Sequence, residues 1–131
     1  MLFRSELLWA CDVNFVRGED SFVRAHWAAR PMVWQIYPQD DHAHRVKLDA
    51  FLGRYLGDPD DGTFPASELV RLFAAFVRAW NGFGNFPEHV WADLTGAQGL
   101  ITPHARRWAD SLAEHIDLAS NLCNFCMERF V

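Results

Sequence analysis

Apolar side chains at Leu48, Phe51, Leu52 and Tyr55 recur every three or four residues, and so do those at Leu69, Leu72, Phe73, Phe76 and Trp80. That spacing puts each set on one face of a helix and turns the polar residues between them outward. A third stripe of Ala105, Trp108, Ala109 and Leu112 follows Thr102-Pro103, a pair that reads as a helix cap and first turn. Asp117 is expected to open a last helix carrying Leu118, Leu122 and Phe125. Between the stripes, "GDPDDG" (Gly57 to Gly62) and "NGFGN" (Asn81 to Asn85) read as turns. Everything after Pro38 is therefore expected to be helical, with no internal repeat.

The beginning of the chain is patterned differently. Glu6 to Ala10 reads as the end of a helix that starts abruptly. Val13 to Val16 is a short apolar strand, and Ser21 to Ala29 a helix closed by Pro31. Met32 to Ile36 ("MVWQI") is a second apolar strand, stopped by Pro38. Neither strand alternates cleanly, so both are expected to be covered on two faces, as in a parallel sheet. Strand, helix, strand makes one βαβ unit. Two strands alone make a poor sheet, so further strands are expected upstream. The predicted fold class is α/β, with a βαβ-type core over 1–56 and a helical tail over 57–131.

Composition narrows the partners more than the fold. The chain has 131 residues, half hydrophobic and 15% aromatic, enough for one domain with a modest core. A net charge of -5 argues against nucleic acid as a partner. Three cysteines (Cys11, Cys123, Cys126) and no leader pattern fit reduced thiols in the cytoplasm. The apolar runs fall short of the roughly 18 residues that a membrane span needs.

The candidate chemistry lies where the first strand turns into a helix: Arg17, Gly18, Glu19, Asp20 and Ser21. A glycine there lets a ligand approach the backbone, and the first amides of a helix are unpaired and favour an anion. Arg17 could hold phosphate oxygens through two bonds at once. Glu19 and Asp20 would repel a bare phosphate; they suit a ligand that also carries donors, such as sugar hydroxyls or a guanidinium. The structural alternative is that Asp20 or Ser21 caps the helix and Glu19 favours its dipole. Tyr37 directly follows the second strand, on the same sheet edge as Gly18 if the strands are parallel. His42 and His44 lack a third ligand and point apart on a helix, so no metal site is expected. Cys123 and Cys126 share a helix face without the further ligands that zinc needs, and read as core thiols. Trp27 and Trp34 should pack the strand–helix unit, and Trp80, Trp91 and Trp108 the helical core.

The stretch from Cys11 to Leu56, with "RGEDS" followed by "WQIYPQ", strongly resembles the C-terminal region of the EarP family, bacterial protein-arginine rhamnosyltransferases that mature translation elongation factor P. "FVRAWNG" in the helical tail is similar too. The resemblance covers nearly the whole chain and is looser after Phe83. It implies the C-terminal part of a Rossmann-like domain of a GT-B glycosyltransferase. It also implies an inverting transfer of rhamnose from dTDP-β-L-rhamnose to an arginine of elongation factor P, with no cofactor or metal. Carried over by motif, Glu19 is the glutamate needed for activity. Arg17, Gly18, Asp20, Ser21 and Tyr37 join it as donor contacts.

The family's N-terminal acceptor domain, with its own catalytic aspartate, has no counterpart here. Three classes therefore stay open: a portion of the transferase, a non-catalytic nucleotide- or phosphosugar-binding module, and a helical interaction domain.

Overall fold

The structure is a computed structural model that describes residues 2–57, 67–114 and 128. Helix α1 (Leu2–Ala10) leads into strand β1 (Asn14–Val16), helix α2 (Glu19–Trp27) and strand β2 (Met32–Trp34). A short 3-10 turn over Asp40–His42 precedes α3 (Ala43–Leu56). Helices α4 (Ser67–Trp80), α5 (Val90–Gly96) and α6 (Gln98–Ala113) follow. The expected helix from Asp117, most of the "GDPDDG" turn, and Cys123 and Cys126 lie outside the described residues.

β1 and β2 pair in parallel, Asn14 against Met32, Phe15 against Val33 and Val16 against Trp34. This is the predicted βαβ unit, with shorter strands. The expected cover on both faces holds for β2, where Met32, Val33 and Trp34 are all buried. It fails for β1, because Phe15 is 43% exposed. The reason lies in period two: Asn14 and Val16 turn one way into packed helices, and Phe15 turns the other way.

The helical stripes behave as their spacing predicts. Leu48, Leu52 and Tyr55 of α3 are buried, with Phe51 packed against them, and Leu69, Phe73, Phe76 and Val77 of α4 are buried as well. Burial contributes roughly 1.5–3 kcal/mol per large apolar side chain. Tryptophans depart from the prediction: Trp27, Trp80 and Trp91 are exposed, and only Trp34 is fully within the core. Each exposed one lies at the margin of its helix stripe, where the ring can cover neighbours while keeping one face open.

Two helix starts also differ from the sequence reading. α2 opens at Glu19, and its end is set by Ala29 in the left-handed conformation (φ 57°). α6 opens at Gln98, a turn before Thr102-Pro103, so Pro103 lies inside it. The amides of Leu100 and Ile101 already bond to the Ala97 carbonyl, at 2.9 and 3.1 Å. Buried Ile101 anchors that extra turn, and Pro103 forfeits only the one bond its nitrogen would make to Gly99.

"NGFGN" is the turn it was expected to be, and its geometry is exact enough to name. The Gly82 amide bonds to the Ala79 carbonyl at 3.0 Å, and the Phe83 amide to the Arg78 carbonyl at 2.8 Å. With Gly82 at φ 83°, this is the Schellman ending of α4, and Asn81 is its last half-helical residue.

Candidate functional site

Parallel pairing brings the carboxyl ends of β1 and β2 to one edge. Arg17 leaves β1 there, and Gln35, Ile36 and Tyr37 leave β2. The Gln35 amide donates to the Val16 carbonyl at 2.8 Å, which carries the pairing to the last residue before the turn. Tyr37 thus reaches the same edge as Gly18, as expected. A β-carbon added at Gly18 would stand 3.7 Å from the Tyr37 hydroxyl, an ordinary contact. Gly18 has φ -69°, so its backbone does not require glycine either. What glycine does here is leave the backbone open to whatever enters the cleft.

Gly18 is the N-cap of α2, and among the described residues no side chain caps this helix. The Phe22 amide donates to the Gly18 carbonyl at 2.9 Å, the first bond of the helix. The amides of Glu19, Asp20 and Ser21 therefore have no intrahelical acceptor. This corrects the capping alternative for Asp20 and Ser21: both lie within the first turn, past the cap position. Asp20 instead pairs with Arg24 one turn on, the Arg24 Nε standing 3.2 Å from Oδ1 and 3.1 Å from Oδ2. Glu19 is exposed, and its carboxylate has no partner among the described residues.

Arg17 is held twice. Its guanidinium lies over the Tyr37 ring, Cζ 4.8 Å from the centroid. Its carbonyl accepts the indole N–H of Trp34 at 3.1 Å. Arg17, Gly18, Glu19, Asp20 and Tyr37 line an open cleft of about 600 Å³ that also takes in Leu7, Phe15 and Ser21. A hollow of about 40 Å³ beside it is shared by Arg17, Glu19, Tyr37, Gln39 and Lys47. An apolar void of about 20 Å³ between Phe76, Trp91 and Ile101 lies away from the strand ends, with room for little more than a water.

All six predicted residues, Arg17, Gly18, Glu19, Asp20, Ser21 and Tyr37, come together at this edge. Sequence reasoning missed Phe15, Lys47 and the bond made by Trp34. For Trp34 a signal existed, since a buried indole N–H needs an acceptor. His42 and His44 stand outside the site. His44 is buried, and its Nδ1 accepts the Gln39 amide at 3.0 Å, which ties down the segment after Tyr37.

The fold and the site define a class: an α/β protein that sets a helix start, an arginine and a carboxylate together at the carboxyl edge of two parallel strands. Comparison with known proteins supplies the particular. Residues 4–127 match the family described as Elongation-Factor P (EF-P) rhamnosyltransferase EarP. The chain is 43% identical over 119 residues to a protein-arginine rhamnosyltransferase of Pseudomonas aeruginosa, covering 91% of this chain and 30% of that protein. It is 44% identical over 120 residues to the protein of the same description from Pseudomonas putida, again over 91% and 30%. A solved structure described as the structural basis for EarP-mediated arginine glycosylation of translation elongation factor EF-P superposes with a TM-score of 0.72 at 36% identity, over 96% of this chain and 37% of that one. The chain belongs to the EarP family. It spans about 30% of the length of the curated relatives it matches.

Proposed function

We propose that this chain is the donor-nucleotide-binding portion of an inverting GT-B glycosyltransferase, which transfers rhamnose from dTDP-β-L-rhamnose to an arginine of translation elongation factor P. The observation that carries the reading is the pairing at one strand edge of an uncapped helix start and Arg17 with a carboxylate, Glu19, that has no partner among the described residues. Amides and guanidinium suit a diphosphate. A carboxylate beside them suits a ligand with positive charge or donors, as the sugar and the acceptor arginine both are.

The chemistry asks for both halves. A guanidinium is charged at any ordinary pH and is a poor nucleophile. A carboxylate must orient it and help remove a proton as the bond to the sugar forms. Charge growing on the departing diphosphate is stabilised by the α2 amides and Arg17, so the reading calls for no metal. Tyr37 would stack on or hydrogen-bond the donor. The reading places the reaction in the cytoplasm and calls for neither nucleic acid nor a membrane; among the described residues no helix is long and apolar enough to cross one.

A second reading is a nucleotide- or phosphosugar-binding module without catalysis, since the same strand edge would hold a donor whether or not transfer follows. The two readings share the donor site and differ in transfer. Titration of the chain with dTDP by calorimetry tests the shared site. Weak binding is expected, with Arg17→Ala weaker by roughly 1.5–3 kcal/mol, the worth of a charge-assisted bond. Equal affinity of the two proteins would overturn the site. Incubation with dTDP-β-L-rhamnose and elongation factor P, followed by mass spectrometry, separates the readings. The chain alone is expected to add no deoxyhexose.

A further inference from the structure

Asn81 lies far along the chain from the strand edge, at the end of α4, yet its side chain touches β2 on the side away from β1. In a parallel pair, alternate residues bond to opposite sides. The Asn14 amide bonds to the Pro31 carbonyl at 2.9 Å and the Gln35 amide to the Val16 carbonyl at 2.8 Å. The Trp34 carbonyl and the Ile36 amide therefore face the other way, where among the described residues no further strand pairs with β2. Asn81 bonds there in a strand's place. Its Oδ1 accepts the Ile36 amide at 2.9 Å, and its Nδ2 donates to the Trp34 carbonyl at 2.8 Å. The same Nδ2 also donates to the Val77 carbonyl at 2.8 Å, which fixes the side chain against its own helix.

The two groups it holds are next to the site. Ile36 precedes Tyr37. Trp34 sends its indole N–H to the Arg17 carbonyl at 3.1 Å, with its ring stacked on Phe22 of α2 at 4.0 Å. One side-chain amide thus grips both residues that place Tyr37 and Arg17. The Schellman ending at Gly82 holds Asn81 at a defined point in space. We propose that Asn81 is a positioning residue for the donor site: through Ile36 and Trp34 it sets the spacing of Tyr37 against Arg17 and Gly18. The consequence for ligand binding rests on the donor-site reading above; the positioning itself does not.

Asn81→Asp is nearly isosteric. It keeps the acceptor for Ile36 but sets a carboxylate oxygen against the carbonyls of Trp34 and Val77. Asn81→Ala removes all three bonds without adding charge. The 131-residue chain, labelled with ¹⁵N, is compared in wild-type and variant form without ligand and then titrated with dTDP. The expected result is displaced amide signals for Arg17, Gly18 and Tyr37 in the unliganded variants, with Ala109 of α6 unmoved. dTDP affinity should fall about tenfold (~1.4 kcal/mol) at a temperature where the variant is folded. Unmoved Gly18 and Tyr37 signals in a folded variant overturn the proposal. If Asn81→Asp does not fold, Asn81→Ala decides by the same signals. If wild type binds no dTDP, the donor reading fails, while the unliganded spectra still decide the role of Asn81.

Discussion

The guanidinium of Arg17 rests on the ring of Tyr37, 4.8 Å from its centroid, and so joins the ends of the two parallel strands. A cation over an exposed ring is worth roughly 0.5–1 kcal/mol, enough to bias where the arginine points and too little to lock it there. Arg17 can therefore leave the ring for a stronger anionic partner. Beside it, Glu19 has no side-chain partner among the described residues.

That contrast gives Glu19 a direct test. In a chain completed with the N-terminal domain of a family member, Glu19→Gln should cut transfer by roughly 10²-fold or more, about 2.7 kcal/mol of barrier. The substitution keeps size and helix start. If Glu19 only favours the dipole of α2, stability should fall by roughly a few tenths of a kcal/mol, with a correspondingly small drop in melting temperature, and turnover should hold. Turnover and melting temperature of the same variant tell the two apart.

Acid should loosen α2 from α6. The indole N–H of Trp108 donates to His26 Nδ1 at 2.8 Å, so His26 must be neutral there, with its proton on Nε2. Burial lowers the His26 pKa to about 4, from an ordinary value of 6.5. The unfolded chain therefore binds a proton more readily between those values. The contribution of His26 should be fully present above about pH 6.5 and fall away as the pH drops toward 4. Carboxylates titrate nearby in pH, so the comparison is with His26→Gln, which can accept the same bond but cannot titrate. Melting temperatures measured from pH 7.5 to 4 should fall more steeply for wild type. Parallel curves would remove His26 from the account.

Two helix ends make predictions of opposite sign. Ala29 ends α2 at φ 57°, and Gly82 ends α4 at φ 83°. A β-carbon in that conformation costs roughly 1–2 kcal/mol. Ala29→Gly should therefore stabilise the chain and Gly82→Ala destabilise it, each by about 1 kcal/mol in urea denaturation. No heavy atom lies within 4 Å of a β-carbon built at Gly82, so the loss there would come from the backbone alone.

Self-association should run through β1. The apolar run "MVWQI" would make an adhesive β2 edge if it were uncovered, but the Asn81 side chain covers part of that edge. An exposed aromatic cluster lies instead on β1 and beside it, where Phe15 (43%), Trp80 (40%) and Trp91 (49%) meet. The Phe15 ring lies tilted against both, its centroid 4.8 Å from that of Trp80 and 6.1 Å from that of Trp91. An open strand beside such a patch is a pairing hazard. Sedimentation should show wild type associating and Trp91→Glu shifted toward monomer. A wild-type chain that stays monomeric at high concentration would contradict this.

Much of the site was legible because its chemistry is contiguous. "RGEDS" places five of the predicted residues in one turn, and a parallel βαβ unit requires Tyr37 to reach the same edge. The cap was misjudged because Asp and Ser are good caps by type, whereas the helix starts one residue after Gly18 and leaves them inside. Thr102-Pro103 misled for a similar reason: the local signal is sound, but the burial of Ile101 carries the helix back past it.

By itself, the sequence determined the strand–helix–strand order, the main helical stripes, the residues of the turn and the family, since each rests on local period or on contiguous motif. Only the tertiary structure decided which groups hold that turn in place. Asn81 meets Ile36 across 45 positions and Trp34 across 47. Nothing in a polar residue before a glycine announces this, because Asn-Gly reads as a turn wherever it occurs. Likewise a helical stripe says which face is apolar, not how far each ring is covered. Coverage of Phe15, Trp80 and Trp91 depends on what packs across from them, and that is settled by three-dimensional neighbours rather than by spacing along the chain.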